Sequence, residues 1–267
     1  MASRANRLSQ FFDTNSPVVR VEVAEALGST PRETGAWMLV SERGLFGTIG
    51  GGQLEMMAIT QARDLLESGK ASGEMNVPLG PEIGQCCGGR VALSLDRLDG
   101  KSIDDLKERA RKDDDALPQV YIFGAGHVGK ALSQALSLLP VRAILVETRQ
   151  DELDTATADV EKRLAAVPES LIGDAAPGSA FVVLTHDHAL DFLIIQTALA
   201  RRDAAYVGMI GSKTKRATYH SWHRKNDGDP ADCNRLVCPI GGSDVKDKRP
   251  QVIAALVAAE IMTALLG

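Results

Sequence analysis

The chain has 267 residues, enough for one large domain or two medium ones. Hydrophobic residues make up 44% and charged residues 24%, the ordinary balance of a soluble globular protein. The formal net charge of −5 argues against a nucleic-acid binder, and no apolar run reaches the roughly 18 residues of a membrane span.

The opening stretch MASRANRLSQFFDTNSP lacks the continuous apolar core of a signal peptide. A cytoplasmic protein with reduced thiols is therefore expected. Short β-like runs follow at 18–27, 36–41, 45–49 and 90–96. One helix interrupts them at 53–69: Leu54, Met57, Ala58, Ile59, Leu65 and Leu66 follow a helical period, and Gly69 fits a C-terminal stop. Residues 97–117 are dense in charge and end in Asp113-Asp114-Asp115, which reads as an exposed helix or linker. From Pro118 strands and helices alternate. Strands are expected at QVYIF, VRAILVET (141–148), AFVVLT (180–185) and AAYVGMI (204–210), and helices at HVGKALSQALSLL, 191–202, 213–225 and the final PQVIAALVAAEIMTALLG. Pro250 suits the first turn of that last helix.

Gly124-Ala-Gly126-His127-Val-Gly129 follows a strand and opens a helix, the context in which G-x-G-x-x-G carries meaning. The first glycine allows a tight turn, the second lets backbone approach a phosphate, and the third lets helix pack on strand. Glu147 lies 18 positions past Gly129, where a ribose-binding carboxylate belongs, and Arg149 beside it offers the alternative of meeting a phosphate. The expected architecture is α/β. A smaller N-terminal α+β domain occupies 1–98, a charged linker 99–117, and a Rossmann-like parallel-sheet domain 118–267.

Three further loops sit where strands pass into helices. Thr185-His186-Asp187-His188 would lie at the carboxyl edge of the sheet, either facing a ligand or metal, or capping the helix that follows. Gly211-Ser212-Lys213 ends another strand. Ser212 is a good N-cap, and Lys213, Lys215 and Arg216 put cations at a helix start, which suits a phosphate-like anion or a solvated basic face. Gly50-Gly51-Gly52 precedes Gln53 and Glu55, as an anion cradle or a tight turn. Gly28-Ser-Thr-Pro31-Arg32 is a turn that alone says little.

Gly84-Gln85-Cys86-Cys87-Gly88-Gly89 places two thiols side by side. A four-thiolate zinc site with Cys233 and Cys238 is disfavoured by the adjacency, because structural zinc ligands usually stand two to four residues apart. A vicinal disulfide would be strained. A tight turn with small side chains, or a reactive thiol, remains.

Taken in order, GSTPRETG, GTIGGGQLE, GQCCGG, YIFGAGHVGKAL, LTHDHALD, YVGMIGSKTKR and CPIGG resemble the xanthine dehydrogenase accessory proteins of the XdhC/CoxI type over nearly the whole chain. The sequence departs from that family's pattern at Glu147-Thr148-Arg149, where relatives more often show a run of aspartates. The resemblance implies a chaperone rather than an enzyme. It would bind the molybdenum cofactor, a molybdopterin, protect it while a cysteine desulfurase supplies the terminal sulfur, and deliver it to apo-xanthine dehydrogenase or a related molybdenum hydroxylase. It also implies a homodimer. Cofactor contacts would then come from Gly50, Gly51, Gly52, Gln53, Glu55 and Gln85; from Gly124, Gly126, His127 and Gly129; from Thr185, His186, Asp187 and His188; and from Gly211, Ser212, Lys213 and Arg216. Cys86 and Cys87 are the candidate molybdenum ligands. The alternative is an NAD(P)-dependent oxidoreductase that uses the glycine fingerprint for a nucleotide.

Overall fold

The computed structural model of the protein describes residues 4–80, 88–226, 228–242 and 244–267. The chain forms two compact units that divide between Asp115 and Ala116.

The first unit comprises α1 (Arg4–Thr14), β1 (Val18–Leu27), β2 (Trp37–Ser41), β3 (Leu45–Gly47), α2 (Gly52–Ser68), β4 (Ser72–Pro78), β5 (Arg90–Arg97) and α3 (Gly100–Asp115). Its strands pair antiparallel in the order β3-β2-β1-β5-β4. Strand alternation sorts side chains to two faces. Val19, Val21 and Val23 of β1, with Met38, Val40, Leu93 and Leu95, pack on Leu54, Ala58, Ala62 and Leu65 of α2. Each Val, Leu or Met among them, fully buried, contributes about 1.5–3 kcal/mol. A register shift between Val23 and Glu25 moves Ala26 onto the same face as Val23. On the opposite face Val18 and Leu39 meet Ala5 and Leu8 of α1 and Ala110 of α3. Helix α2 ends as the sequence predicts, with Gly69 left-handed at φ 70° and its N–H bonded to the Leu66 carbonyl.

The charged segment, expected to be an exposed helix or a linker between the domains, is helix α3, and it belongs to this unit rather than lying between the two. Only Ala110 of α3 is fully buried, so charge dominates its sequence. The Asp114 carboxylate accepts the N–H groups of Arg4 (3.2 Å) and Ala5 (2.8 Å), which ties the end of α3 to the start of α1.

The second unit comprises β6 (Gln119–Phe123), α4 (His127–Leu136), β7 (Arg142–Glu147), α5 (Gln150–Asp154), β8 (Glu161–Leu164), β9 (Ala180–Val183), α6 (His188–Ala200), β10 (Tyr206–Met209), α7 (Lys213–Lys225), β11 (Leu236–Val237) and α8 (Pro250–Leu266). All pairings are parallel, in the order β11-β10-β9-β6-β7-β8. This is the dinucleotide-fold order 6-5-4-1-2-3, with its switch point between β6 and β9. Strand β6 is buried on both faces, as its near-continuous apolar run requires. Val120 and Ile122 pack toward α4 and α8, and Tyr121 and Phe123 toward α6 and α7. The half-exposed β8 and the two-residue β11 carry too little apolar signal to be read from sequence.

Candidate functional site

In the second unit the fingerprint glycines divide by cause. Gly124 is left-handed at φ 113°, and a Cβ there would stand 2.6 Å from the Leu184 carbonyl oxygen. A Cβ on Gly129 would stand 1.9 Å from the Gly124 oxygen, so only glycine lets α4 close on the β6 turn. Gly126 differs: its φ of −70° is open to any residue, and no atom lies within 4 Å of where a Cβ would be. No side chain caps α4, and His127 in its first turn is exposed.

Glu147 ends β7 and is 5% exposed. Its Oε2 accepts the Ala125 N–H at 2.8 Å, inside the glycine turn. Its Oε1 accepts the N–H groups of Thr148 (2.8 Å) and Arg149 (3.2 Å) and the Thr148 hydroxyl (3.1 Å). Burial alone would raise the pKa of this carboxyl, but these hydrogen bonds outweigh it and hold the pKa below the ordinary glutamate value. The Arg149 guanidinium stands 3.5 Å from Glu147 and 3.6 Å from Glu152. A cleft at the carboxyl edge is lined by Gly124, Glu147, Thr148, Pro168, Thr185 and His186, with Phe123, Val146 and Leu190 as apolar walls.

The Thr185–His188 loop is organised by a residue that the motif reading passed over. Asp191 is fully buried. Its Oδ1 accepts the Thr185 hydroxyl (2.6 Å) and N–H (3.1 Å), and its Oδ2 takes the Lys215 ammonium at 2.5 Å. Lys215 also donates to the Ile210 carbonyl at 3.0 Å. Thus Lys215 turns inward and joins the starts of α6 and α7, while Lys213 is exposed and Arg216 half-buried. Asp187 is the N-cap of α6, accepting from Ala189 and Leu190, which hold its carboxyl below the ordinary aspartate pKa. His186 and His188 are exposed. Ser212 caps α7 by accepting the Lys215 N–H at 3.3 Å, and Gly211 is exposed beside it. A lone aspartate in the apolar run DFLII was the available signal for Asp191.

In the first unit the glycine loop is held in the same manner. One oxygen of Glu55, Oε2, accepts the Thr48 hydroxyl (2.5 Å) and the N–H groups of Ile49 and Gly51 (both 3.1 Å). Gly50, Gly51 and Gly52 all take positive φ, from 65° to 123°. A Cβ on Gly50 would fall 2.5 Å from the Pro31 Cβ. A Cβ on Gly89 would fall 2.5 Å from the Ser29 oxygen and 2.6 Å from that of Leu27. Three motifs distant in sequence therefore meet: Gly28–Arg32, Thr48–Glu55 and the pair Gly88-Gly89. Among the described residues outside their chain neighbours, no atom lies within 4 Å of where a Cβ on Gly51 or Gly88 would be. Gln53 and Arg32 are exposed there. Gln85, Cys86 and Cys87 lie outside the described residues.

Cys233 and Cys238 are buried free thiols. Burial raises the pKa of both, which makes them core residues rather than nucleophiles. Among the described residues no cluster of three or more His, Cys, Asp or Glu could hold a metal ion. None of the described helices is long and apolar enough to cross a membrane.

Comparison with known proteins places the chain. The family model described as the XdhC Rossmann domain matches residues 120–261, and that of the XdhC and CoxI family matches residues 12–75. The uncharacterized protein YqeB of Escherichia coli K12 is 26% identical over 263 residues, covering 94% of this chain but 44% of that protein. The chain thus spans less than half the length of this curated relative. A solved structure described as a xanthine dehydrogenase from Bacillus halodurans superposes with a TM-score of 0.79 at 18% identity, over 98% of this chain and 95% of that one. The latter likeness establishes the shared fold.

Proposed function

The chain belongs to the XdhC and CoxI family, and from that premise we propose that it is an accessory protein in the maturation of xanthine dehydrogenase or a related molybdenum hydroxylase. In this reading it binds the molybdenum cofactor, shelters it while a cysteine desulfurase supplies sulfur, and hands it to the apo-enzyme. It works as a homodimer in the cytoplasm.

The observation that carries the reading is the meeting of Gly28–Arg32, Thr48–Glu55 and Gly88-Gly89, three family motifs, around glycines with open space. Such a cradle suits a pterin phosphate, which needs backbone amides and a cation close by. Arg32, exposed at its rim, is the cation, and Gln53 is a donor and acceptor for the pterin. Glu55 is spent on the loop's own amides, so its role is to shape the loop rather than to touch the cofactor. Cys86 and Cys87 provide thiolates for the metal or for sulfur relay.

The test is molybdenum and pterin analysis of protein purified from a cofactor-producing host, wild type beside Cys86→Ala/Cys87→Ala. Near-stoichiometric molybdenum and pterin in the wild type, lost in the double variant, is the expected result. Their absence from the wild type would sink the carrier reading.

A further inference from the structure

We propose that the second unit carries a nucleotide site of its own, which takes a diphosphate-linked ribonucleotide with both ribose hydroxyls free, of the NAD or ADP-ribose class. The proposal stands apart from the cofactor reading, which rests on the first unit and on family membership.

Three observations converge on it. The first is Gly126. Gly124 and Gly129 are glycines because the protein's own backbone crowds them, whereas nothing among the described residues crowds Gly126. Its bareness leaves the uncapped N-terminus of the ten-residue helix α4 open to close approach by a ligand. The exposed amide end of a helix favours a diphosphate.

The second is Glu147, placed beside that turn by its bond to the Ala125 N–H. An ionised carboxylate has about four acceptor positions. Oε1 is crowded by Thr148 and Arg149, but Oε2 holds the Ala125 N–H alone among the hydrogen bonds of the described residues. Oε2 therefore keeps room for one more donor, which a ribose hydroxyl supplies.

The third is the cleft. It runs from Gly124 and Glu147 to Thr185 and His186, across the ends of β6, β7 and β9, beside the switch point of the sheet. Phe123, Val146, Pro168 and Leu190 give it apolar sides.

The same residues decide between ribose diol and ribose phosphate. The nearby cation, Arg149, is already shared between Glu147 and Glu152. A 2′-phosphate would face the Glu147 charge without a free cation to offset it. NADP is therefore expected to bind at least about tenfold more weakly than NAD.

The experiment is calorimetric titration of the full chain with NAD⁺, ADP-ribose and NADP⁺. Saturable binding of NAD⁺ and ADP-ribose, with NADP⁺ weaker by that factor, is expected. Gly126→Ala adds one methyl into open space, so it should keep the wild-type melting temperature and lose most NAD⁺ affinity. Glu147→Gln should narrow the gap between NAD⁺ and NADP⁺; if it fails to fold, Gly126→Ala still decides. No binding of NAD⁺ or ADP-ribose by the wild type, equal affinity for NADP⁺, or unchanged binding by Gly126→Ala would each overturn the proposal. Molybdenum and pterin are assayed on the same samples. NAD⁺ binding without them leaves this site standing and removes the carrier reading, and the reverse result does the opposite.

Discussion

Asp191 and Lys215 form a buried ion pair, ammonium to carboxylate at 2.5 Å, that joins the first turns of two helices 24 residues apart in sequence. Both loops that precede those helices are family motifs, so the pair sets the geometry of the carboxyl edge. Neither residue is free to meet a ligand. Removing one partner strands the other charge in a largely buried site. Lys215→Met alone, or Asp191→Asn alone, should therefore cost about 3–5 kcal/mol, read as a lowered denaturation midpoint. The double variant Asp191→Leu/Lys215→Met should recover part of that loss. A single variant within about 0.5 kcal/mol of wild type would contradict the buried pair.

The second prediction concerns pH. Hydrogen bonds hold the Glu147 pKa below the ordinary 4.5. A depressed folded-state value means that the stabilisation is fully present above the unfolded-state pKa and is lost as pH falls through the folded one. Urea denaturation from pH 6 down to pH 3 should show wild type losing an increment below about 4.5 that Glu147→Gln never had. Near pH 7 that variant should be less stable by about 1–3 kcal/mol. Parallel pH curves for the two proteins would remove Glu147 from the account.

Two glycines of one motif should respond oppositely to the same change. Gly129→Ala must push a methyl onto the Gly124 carbonyl, where the approach is 1.9 Å. The turn or the helix has to move, with a cost at or above the roughly 1–3 kcal/mol of overpacking. Gly126→Ala meets nothing, and should stay within about 1 kcal/mol of wild type. Thermal melts of the two variants side by side check the contrast.

Glu55 should behave as a loop staple. Glu55→Ala leaves the N–H groups of Ile49 and Gly51 and the Thr48 hydroxyl without their acceptor. A loss of about 1–3 kcal/mol is expected, together with faster amide exchange confined to 48–52. Glu55→Gln keeps one acceptor oxygen and should recover part of the protection. Unchanged exchange in both variants would show that the loop holds itself.

Local periodicity and punctuation by themselves determined the strands and helices of this protein that carry strong patterns. The strand–turn–helix at Gln119–Leu136, the stop at Gly69 and the caps at Asp187 and Ser212 depend on residues adjacent in sequence, so they could be read there. The order of motifs likewise pointed to the family. Tertiary structure alone decided which charges face inward. Glu55, Glu147 and Asp191 look in sequence like ligands or solvated acids, yet each turns to backbone amides of its own fold, because a carboxylate drawn out of water needs donors and its own loops supply them. Helix α3 shows the same limit: its charges suggested an exposed helix or a linker, and Ala110 and the Asp114 contact with α1 place it within the unit. Strand alternation is a property of neighbours. The partner of a carboxylate is a property of a distance that only the folded chain brings within reach.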